Sequence, residues 1–186
     1  MDVRSLMVCI MGNTQKMKKD KNSRPPNKKQ IEQTAKKLTE AEILALGYEI
    51  WDIEYHNDGS EWLLEFTIEN PSGAPISFED CEKVTRAVTP LLDASDPIEG
   101  SYCLAVGSPG LNRELKNAAQ LERYMGKKVK VALFAKNDAI GDKSFVAALR
   151  EIGPDKNLFF ELADGQNIAL AKAEIAHIYA HDEIAI

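Results

Sequence analysis

Several things are scarce or missing in this chain, and each absence excludes something. Cysteine is scarce: Cys9, Cys81 and Cys103 are an odd number with no Cys-x-x-Cys pair. Three cysteines in that pattern suit a reducing compartment. No apolar run reaches the roughly 20 residues of a membrane helix. Residues 6–11 are too few for a signal-peptide core, and no small-residue cleavage site follows them. A cytoplasmic location without membrane attachment is therefore expected. Phosphate-cradling Gly-x-x-x-x-Gly-Lys and Gly-x-Gly-x-x-Gly motifs are missing. The nearest approach to a nucleophile elbow reads Gly107-Ser108-Pro109-Gly110, which does not follow Gly-x-Ser-x-Gly. Cys81 and Cys103 fall at apolar positions, which suits buried thiols better than nucleophiles. Nothing supports catalysis, and neither a metal nor another cofactor is expected.

What the chain does have is charge, unevenly spread. The net charge of −6 hides three segments. Residues 1–27 hold six Lys/Arg and two Asp/Glu, a net of +4. Residues 28–107 hold six Lys/Arg and sixteen Asp/Glu, a net of −10. Residues 108–186 hold eleven of each. The middle segment should attract basic proteins and repel nucleic acid. Residues 1–27 read as a disordered basic tail, too polar beyond Met11 to bury a core.

Periodicity divides the remainder into two domains. In 28–107, Ile31, Ala35, Leu38, Ala41 and Ala45 recur at helical steps, and Gly47 suits a left-handed cap. Trp51, Ile53 and Tyr55 then alternate, Asn57-Asp58-Gly59-Ser60 signals a hairpin, and Trp62, Leu64, Phe66 and Ile68 alternate on the way back. Ser77 and Asp80 form a capping box for a helix with Cys81, Val84, Val88, Leu91 and Leu92 as its buried stripe. Pro90 predicts a kink or early end there. Residues 102–106 are a third strand. The order helix-strand-strand-helix-strand predicts an α+β domain, a three-stranded sheet with two helices on one face. In 108–186 a short helix around 118–125 precedes five short strands with tight turns, Gly153-Pro154-Asp155 and Asp164-Gly165 among them. That pattern predicts a small closed β-barrel. Ser108-Pro109-Gly110-Leu111 joins the two. Pro109 holds Ser108 extended and Gly110 permits a tight turn, so a shaped hinge is expected.

Two charged groups could bind partners. Alternation puts Asp52, Glu54, His56, Glu61, Glu65 and Glu69 on the sheet face away from the helices. A solvated face explains them as well as docking of a basic protein does. A Mg²⁺ site for phosphoryl transfer is the weakest reading, because extended acidic surfaces steer more often than they catalyse. The second group is basic: Arg113, Lys116, Arg123, Lys127, Lys128 and Lys130 stand against Glu114 and Glu122. A handful of phosphate contacts there would give salt-dependent RNA binding. His177 and His181 are four apart, but in or after a strand that spacing separates them by about 13 Å, which disfavours zinc.

The order of these pieces resembles the bacterial ribosome maturation factor RimP family. The resemblance is carried by residues 46–55 (LGYEIWDIEY), 76–82 (ISFEDCE), 96–102 (DPIEGSY), 106–113 (VGSPGLNR) and 126–131 (GKKVKV), and spans roughly 30–181. It implies an α/β N-terminal domain and an Sm- or SH3-like C-terminal barrel. It also implies a non-catalytic factor that binds the immature small (30S) ribosomal subunit, through rRNA and a basic small-subunit ribosomal protein; a monomer is expected. Gly107, Asn112 and Glu114 depart from the family's usual Ser, Asp and Pro, and Glu114 takes positive potential from the junction. The basic tail is not part of the family pattern. Two rival readings are an Sm-like RNA-binding regulator, which would form rings, and a Mg²⁺-dependent phosphoryl-transfer enzyme using Asp52, Glu54 and Glu65.

Overall fold

The computed structural model describes residues 8–11, 27–110, 112–137, 139–155 and 157–181. The chain divides into two compact units between Pro109 and Gly110, inside the stretch the sequence marks as the junction. Leu111 and residues 182–186 lie outside the described residues.

The first unit has the order β1 (Val8–Met11), α1 (Lys28–Ala45), β2 (Glu49–Asn57), β3 (Trp62–Glu69), α2 (Phe78–Ser95) and β4 (Cys103–Gly107). Its sheet runs β1-β4-β3-β2, with β3 and β4 parallel and the other pairs antiparallel. The sequence reading allows three strands and leaves residues 1–27 without structure. Val8–Met11 departs from it: this short apolar run pairs with β4 from Val8↔Val106 to Met11↔Cys103. The rest of the expected tail, residues 1–7 and 12–26, lies outside the described residues.

Local chemistry explains the elements. The α1 helix buries Ile31, Ala35, Thr39 and Ile43, a strict four-residue step. The expected positions Ala41 and Ala45 are exposed instead. Thr39 can be buried because its hydroxyl donates to the Ala35 carbonyl at 2.8 Å. Gly47, at φ +91°, ends the helix. Its N–H donates to the Leu44 carbonyl, and that of Tyr48 to the Ile43 carbonyl, which is the Schellman pattern. At the start of α2 the Ser77 hydroxyl accepts from Asp80 N–H, and the Asp80 carboxylate accepts from Ser77 N–H. The same carboxylate accepts from the Tyr48 hydroxyl at 2.5 Å. That bond holds the Tyr48 phenol up to about 12 and pulls Asp80 below the usual carboxylate range.

Pro90 neither ends nor interrupts α2. It sits on the exposed side, while Val84, Val88 and Leu92 continue the buried stripe past it. Packing of that stripe outweighs the backbone bond that proline removes. The helix stops at Asp96, whose φ of +41° makes it a left-handed cap, with its N–H donating to the Leu92 carbonyl at 2.8 Å. Between helices and sheet lies one core that includes Ile53, Tyr55, Leu64, Phe66, Ile68, Leu104 and Val106. Each such side chain, fully buried, stabilises the unit by roughly 1.5–3 kcal/mol.

The second unit contains α3 (Ala118–Arg123), β5 (Lys128–Leu133), β6 (Ser144–Ile152), β7 (Asn157–Glu161), β8 (Asn167–Ala171), a single 3₁₀ turn (Lys172–Glu174) and β9 (Ile175–Ala180). All neighbours are antiparallel, in the order β8-β7-β6-β5-β9. The first and last strands of the unit are therefore side by side. Val129, Val131, Leu149, Leu158, Phe160 and Ile178 are among its buried residues. Register shifts at Ala132/Leu133 and Leu149/Glu151 bend the sheet.

Candidate functional site

The acidic face is built by the β2–β3 hairpin. Its turn is made by side chains. Asn57 accepts from Gly59 N–H, and Asp58 accepts from Ser60 N–H, the Ser60 hydroxyl and Glu61 N–H. Those bonds, to Glu61 and Ser60 first, lower the Asp58 carboxyl to about 2. The turn fixes the register: Glu54 lies directly opposite Glu65, Asp52 opposite Thr67, and Glu49 opposite Glu69. Paired residues share a face, so Glu49, Asp52, Glu54, Glu65 and Glu69 stand on the side away from the helices. Glu61 is not among them, since it belongs to the turn.

Two aromatic expectations are corrected. Trp51 is the extra residue of a bulge between Ile50 and Asp52, so Ile50, not Trp51, continues the helix-facing row with Ile53 and Tyr55. Trp62 does not enter the core. It is 37% exposed, stacks on Tyr55 at 4.8 Å, and lies under the Lys28 ammonium at 5.4 Å. The outer side is also less uniformly polar than alternation suggests: Leu63 packs there with Cys103 and Ala105.

Sequence reasoning did not single out the closeness of Glu54, His56 and Glu65. One potential ligand atom from each lies within 4.8 Å of the others. The signal was available. Glu54 and His56 are two apart on one strand, and Glu65 faces Glu54 across the hairpin.

The cations of the second unit come from several elements. Residues 113–115 run beside β9, with Leu115 N–H donating to the Ile178 carbonyl and Ala180 N–H to the Arg113 carbonyl, both at 2.8 Å. Lys116 is 4.0 Å from the Glu114 carboxylate, which also meets His177 Nδ1 at 2.5 Å. Arg123 is in the last turn of α3, where a cation suits the helix end. Lys127 lies over the Tyr124 ring at 5.0 Å. Lys128 and Lys130 are exposed on one face of β5. The structure thus unites Lys128 with Lys130 and ties Lys116 to Glu114, but Arg113, Arg123 and Lys127 belong to other elements. His177 and His181 differ in surroundings: the first bonds Glu114, and the second follows β9, its N–H on the Lys128 carbonyl.

Gln120 is a further residue that sequence reasoning passed over. Buried at 5% exposure, its Oε1 accepts from Lys116 N–H at 2.7 Å and Asn117 N–H at 3.2 Å. The signal was Asn117-x-x-Gln120, a capping box that starts α3 and fixes the backbone at Lys116.

At the junction, Ser108, Pro109 and Gly110 are half-buried, and Gly110 has a φ of +68°, a conformation glycine adopts without strain.

Among the described residues no helix is long and apolar enough to cross a membrane. Residues 38–112 match the family model described as the RimP N-terminal domain. The match runs from within α1 through β4 to the junction, and it bears out the resemblance over that stretch, leaving residues 126–131 outside it. That domain points to the ribosome maturation factor family.

Proposed function

We propose that this protein is a non-catalytic, monomeric, cytoplasmic factor for maturation of the small (30S) ribosomal subunit. In this reading it binds rRNA and a basic ribosomal protein of the immature particle. The observation that carries it is the row Glu49, Asp52, Glu54, Glu65 and Glu69 on one sheet face of the unit that matches the RimP N-terminal domain. Such a face attracts a basic protein and repels RNA. Asp52, Glu54, Glu65 and Glu69, with Glu61 at the turn, dock the protein. Arg113, Lys116, Arg123, Lys127, Lys128 and Lys130 meet rRNA phosphates. Glu114 weakens that contact less than its charge suggests, because His177 and Lys116 engage it.

The second unit is read as an Sm- or SH3-like barrel. Its support is the adjacency of β5 and β9 and the two bulges that curve the sheet. Ser108-Pro109-Gly110-Leu111 is read as the shaped link between the units.

Crosslinking of the purified protein to immature small subunits should capture 16S-type rRNA and one basic ribosomal protein. Normal subunit profiles and rRNA processing in cells lacking the protein would overturn the reading. A second reading, metal-dependent phosphoryl transfer, draws on the convergence of Glu54, His56 and Glu65. An imidazole suits transition metals better than the Mg²⁺ such chemistry uses. Calorimetry with Mg²⁺ on the wild type and a Glu54→Gln/Glu65→Gln variant decides it, and no metal-dependent heat in the wild type removes it.

A further inference from the structure

The reading above uses the cations of β5 and leaves the rings beside them without a task. On β5, Lys128, Lys130 and Ala132 follow at two-residue steps, so they share the outer face of the sheet, and Phe134 comes one residue after the strand ends at Leu133. The register supplies their neighbours. Lys130 lies between Val146 on β6 and Tyr179 on β9, and Ala132 between Ser144 and His177. Phe134 is 69% exposed and Val146 38%. His177 stacks on Tyr179, with centroids 5.8 Å apart and planes 27° from parallel. Glu114 holds the His177 ring by its Nδ1, which sets the ring's orientation without covering it; the side chain remains 53% exposed.

One exposed phenylalanine would need no explanation. Here two ring-bearing side chains and two ammonium groups share one antiparallel sheet face, with small or apolar side chains between them, and the exposed Phe134 follows directly at the end of β5. Rings offer flat π-faces to bases, and lysines offer charge to phosphates. That pairing suits a single strand, because a double helix keeps its base faces stacked inside. Charge also argues against the other class of partner: a face carrying Lys128 and Lys130 repels a basic ribosomal protein.

We infer that this face is a stacking platform for a short single-stranded RNA segment, with bases against Phe134, His177 and Tyr179 and phosphates at Lys128 and Lys130. The inference rests on the proposal that the second unit contacts RNA, and it adds which RNA and by what contact.

The test uses the full chain and a labelled RNA of about ten nucleotides, free or annealed to its complement, followed by fluorescence anisotropy. The single strand should bind about tenfold more tightly than the duplex. Phe134→Ala should weaken single-strand binding about fivefold or more, the loss of one stacked base. Phe134→Trp should retain it, and His177→Ala should weaken it in the same sense. Circular dichroism should show each variant folded, since both side chains are exposed. Lys128→Ala/Lys130→Ala should weaken single strand and duplex alike. If the cation variant weakens binding while the ring variants leave it unchanged, the stacking inference fails and the phosphate contacts stand. If neither set changes binding, the RNA reading of this unit fails with it. A photo-crosslinker at Val146 that captures protein and no RNA on immature subunits would also overturn the inference.

Discussion

Glu54 and Glu65 face each other across β2 and β3, and their carboxylates belong to a group whose atoms lie within 4.8 Å of one another. Two negative charges at that distance repel by about 1 kcal/mol in water and by about 3–4 kcal/mol at an effective dielectric near 20. Glu54 is exposed and Glu65 half-buried, so the lower figure applies. Like charges placed opposite each other in a sheet typically cost roughly 0.2–1 kcal/mol. Glu65→Gln keeps the shape and removes one charge. The variant should therefore be more stable than wild type by about 0.5–1 kcal/mol at low salt. For a unit of this size that corresponds to a rise of about 2–8 °C in the melting midpoint. Near 1 M salt the screening length is about 3 Å, shorter than the separation, and the gain should shrink towards zero. Urea titration and calorimetry at both salt levels measure this. The affinity of the same variant for an arginine-rich peptide should fall, since the face loses a charge. A midpoint that drops, or a gain that persists at high salt, would refute the reasoning that this pair is maintained against the interest of the fold.

Three further outcomes follow from the same geometry. Tyr48→Phe should cost about 1.5–3 kcal/mol by removing a bond to a carboxylate, read by urea unfolding. Because Asp80 is depressed in the folded state, its contribution is present above the ordinary carboxyl value of about 3.9 and is lost as pH falls through the folded one. The variant should therefore lose stability less steeply in acid. Because Tyr48 is raised to about 12, wild type should also lose stability as pH climbs from about 10 towards that value, and the phenylalanine variant should not. Pro90→Ala should stabilise the first unit by about 1–3 kcal/mol, since Pro90 is exposed within α2 and its replacement restores a backbone bond. Lys128→Ala/Lys130→Ala should reduce the slope of log affinity for RNA against log salt by about 1.4–1.8, one phosphate contact per residue.

Features encoded by neighbours in sequence were legible; features that depend on distant residues were not. Asn57-Asp58-Gly59-Ser60 specifies its turn with its own side chains, and the Ser77/Asp80 capping box closes over three residues. Both could be read from spacing. Trp51 and Trp62 could not, because a bulge shifts one and the other stacks across the hairpin. Pro90 argues locally for a break, and tertiary packing of Val88 and Leu92 overrides it. Of the candidate surfaces, the charges were legible and their grouping was not. Glu114 reads as an anion that only subtracts positive potential until His177, 63 positions away, is found against it. Likewise Phe134 and His177 carry no motif. Only the β5–β9 register brings His177 to the face that Lys130 occupies.

The backbone bonds that tie residues 113–115 to β9 place the start of the second unit beside its last described strand. A module whose two ends are neighbours can be spliced into a surface loop of another protein without stretching either connection. The same pairing makes the unit finish late in synthesis. The strand that completes β5's hydrogen bonding and fastens residues 113–115 is the last of the unit's strands among the described residues, so a nascent chain stopped before Ile175 holds neither.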